Sequence, residues 1–262
     1  MNKESIIQLW RDTGWNTLQD YHSHINSGKE KIVLLELAPE KINPKIFWQA
    51  ADEHFGTDPV CNQISNNDRI LDIQEANHKN HLITVHSGMA GQTLGLAALL
   101  NDRFGKIDMA EIGCGYSSAK SLYLEIENKY YTQTSYTGFD IIKRVSSTIE
   151  ILGDDGTFSE DQIQRYTEEF NLFFSSNTFQ HLSRSQIETY LKSIYAMLPY
   201  GGYFNLMYVD DCSKTYHYGQ VIHIIPKSDL INMIELIGFN VIGYTKMEFK
   251  NSLTPYTLVL KK

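Results

Sequence analysis

The sequence holds no apolar run near the roughly 18 residues that a membrane span needs, so no span is expected. Its first stretch, MNKESIIQLWRDTGW, has neither the apolar core nor the small-residue cleavage site of a secretion signal, and a cytoplasmic location is expected. Cysteine is scarce. Cys61, Cys114 and Cys212 are odd in number and widely spaced, without zinc-ligand spacing, which fits thiols in a reducing compartment. Positive charge is also short, with 23 Lys and Arg against 31 Asp and Glu and a net charge of −8. A nucleic-acid surface needs clustered Lys and Arg to neutralise phosphates, so DNA and RNA are not the expected partners.

What the chain does hold is core material. It has 262 residues, of which 42% are hydrophobic, with 16 Tyr and 12 Phe, enough for an α/β domain with an extension and no disulfide staple. The patterning divides it near residue 105. Residues 1–105 are expected to be mainly helical or irregular, with breaks at Asn26-Ser27-Gly28 and Gly56-Thr57-Asp58-Pro59. Trp10, Trp15, Phe47, Trp48 and Phe55 are the expected core of this extension. Over 106–262, short apolar strands alternate with amphipathic helices, the mark of a parallel sheet covered on both faces.

In the second part, a strand Ile107 to Ile112 runs into the turn Gly113-Cys114-Gly115, and a helix is expected from Ser118 to Asn128. Strands are expected at Tyr136 to Phe139, Asn171 to Ser175 and Tyr203 to Val209. Ser183 and Gln186 form a capping-box pattern before Ile187, Leu191, Ile194 and Leu198 at helical spacing. Pro226 suits a first helical turn, and Gly238 supplies the stop. The last strands, Phe239 to Tyr244 and Tyr256 to Leu260, have no helical pattern between them and read as an antiparallel pair. The expected fold is therefore a Rossmann-like, mostly parallel sheet with a C-terminal antiparallel strand pair, preceded by the helical extension.

The chemistry concentrates in Glu111-Ile112-Gly113-Cys114-Gly115-Tyr116-Ser117. A glycine turn after a buried strand lets a ligand lie against bare backbone, because no Cβ intervenes. Asp140, at the end of the next strand, is placed to accept from both hydroxyls of a ribose. A nicotinamide or flavin fingerprint would need Gly or Ala where Ser118 stands.

Glu111-Ile-Gly113-Cys-Gly115-Tyr resembles motif I of the class I S-adenosylmethionine (SAM)-dependent methyltransferases, and Asp140 resembles their ribose-binding acid. The stretch Phe173 to Leu206 resembles their motif IV region, and the likeness runs from about Lys106 to the C-terminus. EIGCGYSS and the Ser-Ser-Asn pattern further resemble sugar O-methyltransferases of bacterial surface-polysaccharide clusters. The resemblance implies SAM as cofactor, held by Glu111, Gly113, Cys114, Gly115, Asp140, Ser176 and Asn177. It implies transfer of a methyl group to a small polar acceptor, foremost a sugar hydroxyl, with a phosphorylated, phosphoramidate or amine acceptor as the alternative. A nicotinamide-dependent oxidoreductase and a SAM-binding pseudoenzyme scaffold are the rival classes.

The sequence departs from the pattern in several places. Ser117 replaces the third glycine, and Ser175-Ser176-Asn177 stands where an acid is often found. Ile149 to Phe170 reads as largely helical and polar, so no third strand with an adenine-contacting acid is expected there; Asp154 and Asp155 are its candidates.

An oxygen acceptor must lose a proton, and histidine suits that task near neutral pH. His181 follows the motif IV strand and is the first candidate base. His217, in Tyr216-His217-Tyr218, is the second, and its aromatic neighbours suit stacking on a sugar ring. His86, before the turn Ser87 to Gly91 and a helix expected near Gln92, reads as an ordinary helix entry, with a place at the cofactor's methionine end as the alternative. Asp210 and Asp211 offer hard oxygen ligands, but no third carboxylate joins them and no metal is expected. The extension is expected to close over the acceptor pocket or to join two subunits as a homodimer.

Overall fold

The computed structural model describes residues 1–17, 20, 42–54, 87–114, 133–142, 149–153, 155–176, 178–210, 225–246 and 254–262. The expected helix at 118–128 lies outside them, as do Phe55, His86, Asp154 and Asp211.

Three described helices lie within residues 1–105, and the first two pack together. Helix α1 (Lys3–Thr13) starts at Asn2, whose side chain accepts from the Ser5 N–H, and stops at Gly14 in the left-handed conformation. Helix α2 (Pro44–His54) begins at a proline, which suits a first turn whose N–H has no partner inside the helix. Ile6, Trp10, Trp15, Phe47 and Ala50 bury between them as a small separate core, as expected for Trp10, Trp15 and Phe47.

Helix α3 (Ser87–Phe104) starts five residues before the expected Gln92. It leads into a seven-stranded sheet of β1 (Lys106–Ile112), β2 (Gln133–Asp140), β3 (Ile149–Ile151), β4 (Leu172–Ser175), β5 (Tyr203–Asp210), β6 (Asn240–Lys246) and β7 (Thr254–Lys261). The spatial order is β3-β2-β1-β4-β5-β7-β6. Strands β1 to β5 pair in parallel, and β7 is antiparallel to both β5 and β6. This is the Rossmann-like sheet with a closing antiparallel pair that the patterning implied.

One expectation fails. A third strand exists: Ile149–Ile151 pairs with Gly138 to Asp140, and the following helix α4 covers only Glu160–Arg165. Three residues are too few for a periodicity to register, and the polar turn beyond them masked the strand.

Helices α5 (Arg184–Met197) and α6 (Lys227–Ile237) cover one sheet face, packing Ile187, Leu191, Ile194, Leu230 and Ile234 against Ala110, Phe173, Phe204 and Leu258. The capping box of Ser183 and Gln186 forms in full. Pro226 is the N-cap of α6, one place before its first turn, and Gly238 ends it at φ 117°. Helix α3 contributes Leu96, Ala97 and Leu100 to the other face, against Ile107, Met109 and Met207. Among the described residues, no helix is long and apolar enough to cross a membrane.

Candidate active site at the carboxyl edge of the sheet

Parallel pairing aligns the strand ends. Ile112 lies opposite Phe139 on one side and Ser175 on the other, so Gly113, Asp140 and Ser176 emerge at one edge. Ligands of open α/β sheets bind outside this edge, where the strand order reverses, here between β1 and β4.

Gly113 holds φ at 71°, a conformation that L side chains rarely adopt. Its N–H and that of Cys114 both donate to the Phe139 carbonyl, at 2.8 and 3.1 Å. A Cβ on Gly113 would stand 2.5 Å from Thr178 Cγ2, so glycine is required for space as well as for conformation. The Thr178 hydroxyl reaches the carbonyls of Ile112 and Ser176, each at 3.2 Å. Thr178 thus ties the glycine turn to the loop after β4. Sequence reasoning passed over it, because a threonine in a polar loop carries no pattern.

Cys114 is buried, and its sulfur sits where a Cβ on Gly138 would fall, at 2.7 Å. The Tyr136 hydroxyl donates to the buried Glu111 carboxylate at 2.5 Å. That partner was also missed, since only the register of β1 on β2 reveals it. Gly115 and Asn177 lie outside the described residues.

Asp140 is 5% exposed at the end of β2. Its Oδ1 accepts from the Ile142 N–H at 3.1 Å, while its carbonyl accepts from Leu152 N–H at 2.9 Å. Beyond β3, the Asp155 carboxylate closes its own turn, accepting from the Thr157 N–H at 3.0 Å and hydroxyl at 2.9 Å. The buried Tyr190 hydroxyl on α5 donates to the Gly156 carbonyl. Burial, then the carboxylates of Asp140 and Asp155, hold its pKa well above the ordinary 10.0, so it remains a donor.

Ser176 is half-buried, with its hydroxyl 3.7 Å from Met207 Sδ. His181 ends a 3-10 turn, Phe179–His181, and its N–H donates to the Thr178 carbonyl at 2.9 Å. Its ring meets Trp48 of α2 edge-on, with centroids 5.3 Å apart and planes at 88°. His217 lies outside the described residues. Asp210 closes β5, and no group of three His, Cys, Asp or Glu among the described residues could hold a metal.

No family model and no curated protein matches the chain. Solved structures do. The 1,6-didemethyltoxoflavin-N1-methyltransferase of Burkholderia thailandensis aligns over 71% of this chain and 86% of its own, at 15% identity and a TM-score of 0.46. A SAM-dependent methyltransferase from Archaeoglobus fulgidus aligns over 63% of this chain and 92% of its own, at 15% identity and a TM-score of 0.44. The [4+2]-cyclase SpnF aligns over 64% and 81%, at 10% identity and a TM-score of 0.44. Likenesses of this strength leave the chemistry to be argued from the residues.

Proposed function

We propose that the chain is a methyltransferase that takes a methyl group from SAM and delivers it to a hydroxyl of a sugar or surface-polysaccharide precursor. The observation that carries the reading is the pairing of the Gly113 turn with buried Asp140 on adjacent strand ends. The strand order supports it too. A dinucleotide fold runs 3-2-1-4-5-6, whereas here the antiparallel β7 lies between β5 and β6.

The residues present fit an adenosine-bearing cofactor. An ionised carboxylate accepts only, and a ribose offers two neighbouring donors to the Asp140 oxygens. Glu111, Cys114, Gly115, Ser176 and Asn177 complete the proposed cofactor set. SAM supplies a methyl group already activated by a sulfonium, so the protein's work is to bind, to orient and to remove a proton.

His181 is the proposed base, placed by its turn beside the loop after β4. Its imidazole would take the proton of the acceptor hydroxyl as oxygen attacks the methyl carbon. His217 is the second proposed base. Residues 1–105, apart from helix α3 on the sheet, are the proposed cap over the acceptor pocket, with a homodimer contact as the alternative.

The choice of a sugar acceptor rests on the EIGCGYSS and Ser-Ser-Asn likeness. Calorimetry should give binding of S-adenosylhomocysteine and none of NAD; the reverse result overturns the cofactor reading. A panel of nucleotide-activated sugars, free sugars, phosphorylated alcohols and amines, assayed by release of S-adenosylhomocysteine, should give turnover with sugar hydroxyls. Turnover on amines alone would overturn the oxygen acceptor, and cofactor binding without any turnover would favour a scaffold.

A further inference from the structure

Alternation along the strands puts Tyr136, Gly138 and Asp140 on one face of β2, and Met109 and Glu111 on the matching face of β1. In register, Tyr136 lies opposite Met109, and Gly138 lies opposite Glu111. The position directly beside Glu111 therefore carries no side chain. Its contact from β2 is the diagonal one: the Tyr136 hydroxyl donates to Glu111 Oε2 at 2.5 Å.

Gly138 opens that route. A Cβ there would stand 3.2 Å from the Tyr136 hydroxyl oxygen and 2.7 Å from Cys114 Sγ. The gap it leaves is filled from two sides, by the tyrosine leaning along β2 toward the carboxyl edge and by the side chain of the turn residue Cys114. Tyr136 makes this reach from a firm base, because its ring packs against the cluster that α3 forms with Ile107 and Met109.

Glu111 is buried. A carboxylate taken out of water loses free energy unless donors and cations answer it. The tyrosine hydroxyl supplies a donor without adding charge. A carboxylate two residues before the glycine turn pairs by charge with a cation, and the sole cation of S-adenosylhomocysteine is the ammonium of its amino-acid end.

We propose that Tyr136 is a positioning residue for the amino-acid end of the cofactor: its hydroxyl, passing over Gly138, places the Glu111 carboxylate that meets the ammonium. The inference rests on the reading of Glu111 as a cofactor residue, and it gives β2 a second part in the site besides Asp140. Glu111 and Tyr136 each make further interactions, so removing this one hydroxyl reads its own share of the placement.

The test is calorimetry on the full chain with two ligands, S-adenosylhomocysteine and methylthioadenosine, which keeps the nucleoside and the sulfur but lacks the amino-acid end. Tyr136→Phe removes the hydroxyl and keeps the ring. It should weaken S-adenosylhomocysteine about three- to tenfold, within the coupling of residues in one hydrogen-bond network, and leave methylthioadenosine within about twofold. Glu111→Gln should show the same selectivity. Adding Tyr136→Phe to it should weaken S-adenosylhomocysteine by less than about a further twofold, because the hydroxyl acts through the charge. Wild-type affinity for S-adenosylhomocysteine in Tyr136→Phe would overturn the proposal. Equal weakening of both ligands would assign the hydroxyl a merely structural role and overturn it as well, as would losses that multiply in the double variant. Wild-type affinity in Glu111→Gln would remove Glu111 from the cofactor and Tyr136 with it. Binding of neither ligand by the wild type would instead overturn the cofactor reading itself.

Discussion

At the scale of single residues, Gly113, Asp140 and Tyr190 make separable predictions. Gly113→Ala meets a left-handed backbone and the Thr178 side chain together, so it should lose about 2–4 kcal/mol of stability. Urea unfolding checks this, and S-adenosylhomocysteine binding should be lost with it. Asp140→Ala should weaken S-adenosylhomocysteine at least about tenfold by calorimetry, since a charged hydrogen bond contributes about 1.5–3 kcal/mol. Unchanged affinity would remove Asp140 from the ribose. Tyr190→Phe leaves the Gly156 carbonyl without its donor and should cost about 1–3 kcal/mol. The sign of its pH dependence follows from burial. The folded-state pKa lies above the unfolded one, so the unfolded chain releases its proton first. Stability from this group is whole below about pH 10 and falls as the pH climbs toward the folded value. The wild type should therefore lose more stability than Tyr190→Phe between pH 9 and 11, and equal losses would argue against the raised pKa.

At the scale of elements, legibility followed signal length. Helix α5 was readable because Ser183, Gln186 and the Ile187, Leu191, Ile194 stripe repeat one message over four turns. Ser183→Ala should cost about 1 kcal/mol by thermal unfolding, and Ser183→Asp should restore it, because either oxygen can cap. Strand β7 was readable from its apolar run and the absence of a helix before it. Strand β3 was not, because three residues followed by Leu152-Gly153 carry too little pattern to stand out from a polar stretch. The candidate site divided the same way. Glu111, Gly113 and Asp140 announced themselves by position relative to strand ends. Tyr136, Thr178 and Trp48 did not, because each earns its place through a contact with a residue distant in sequence.

At the scale of the whole molecule, helix α3 decides how the chain can be cut. It precedes residue 105 yet lays Leu96, Ala97 and Leu100 on the sheet face opposite α5 and α6. A chain beginning at Lys106 would strip Leu96, Ala97 and Leu100 from Ile107, Met109 and Met207 and should fail to unfold cooperatively, whereas one beginning at Ser87 should keep cooperative unfolding and S-adenosylhomocysteine binding. Circular dichroism melts of the two truncations would decide it. The sequence by itself determined the sheet's connectivity class, the glycine turn, the acid at the end of β2 and the closing antiparallel pair. Those features are written in local periodicity and in the special backbone freedom of glycine. Only the tertiary structure decided that β3 exists, that Tyr136 holds Glu111, that Thr178 locks the glycine turn and that Trp48 reaches His181. These are contacts between segments far apart in the chain, and their geometry is set by strand register and helix packing.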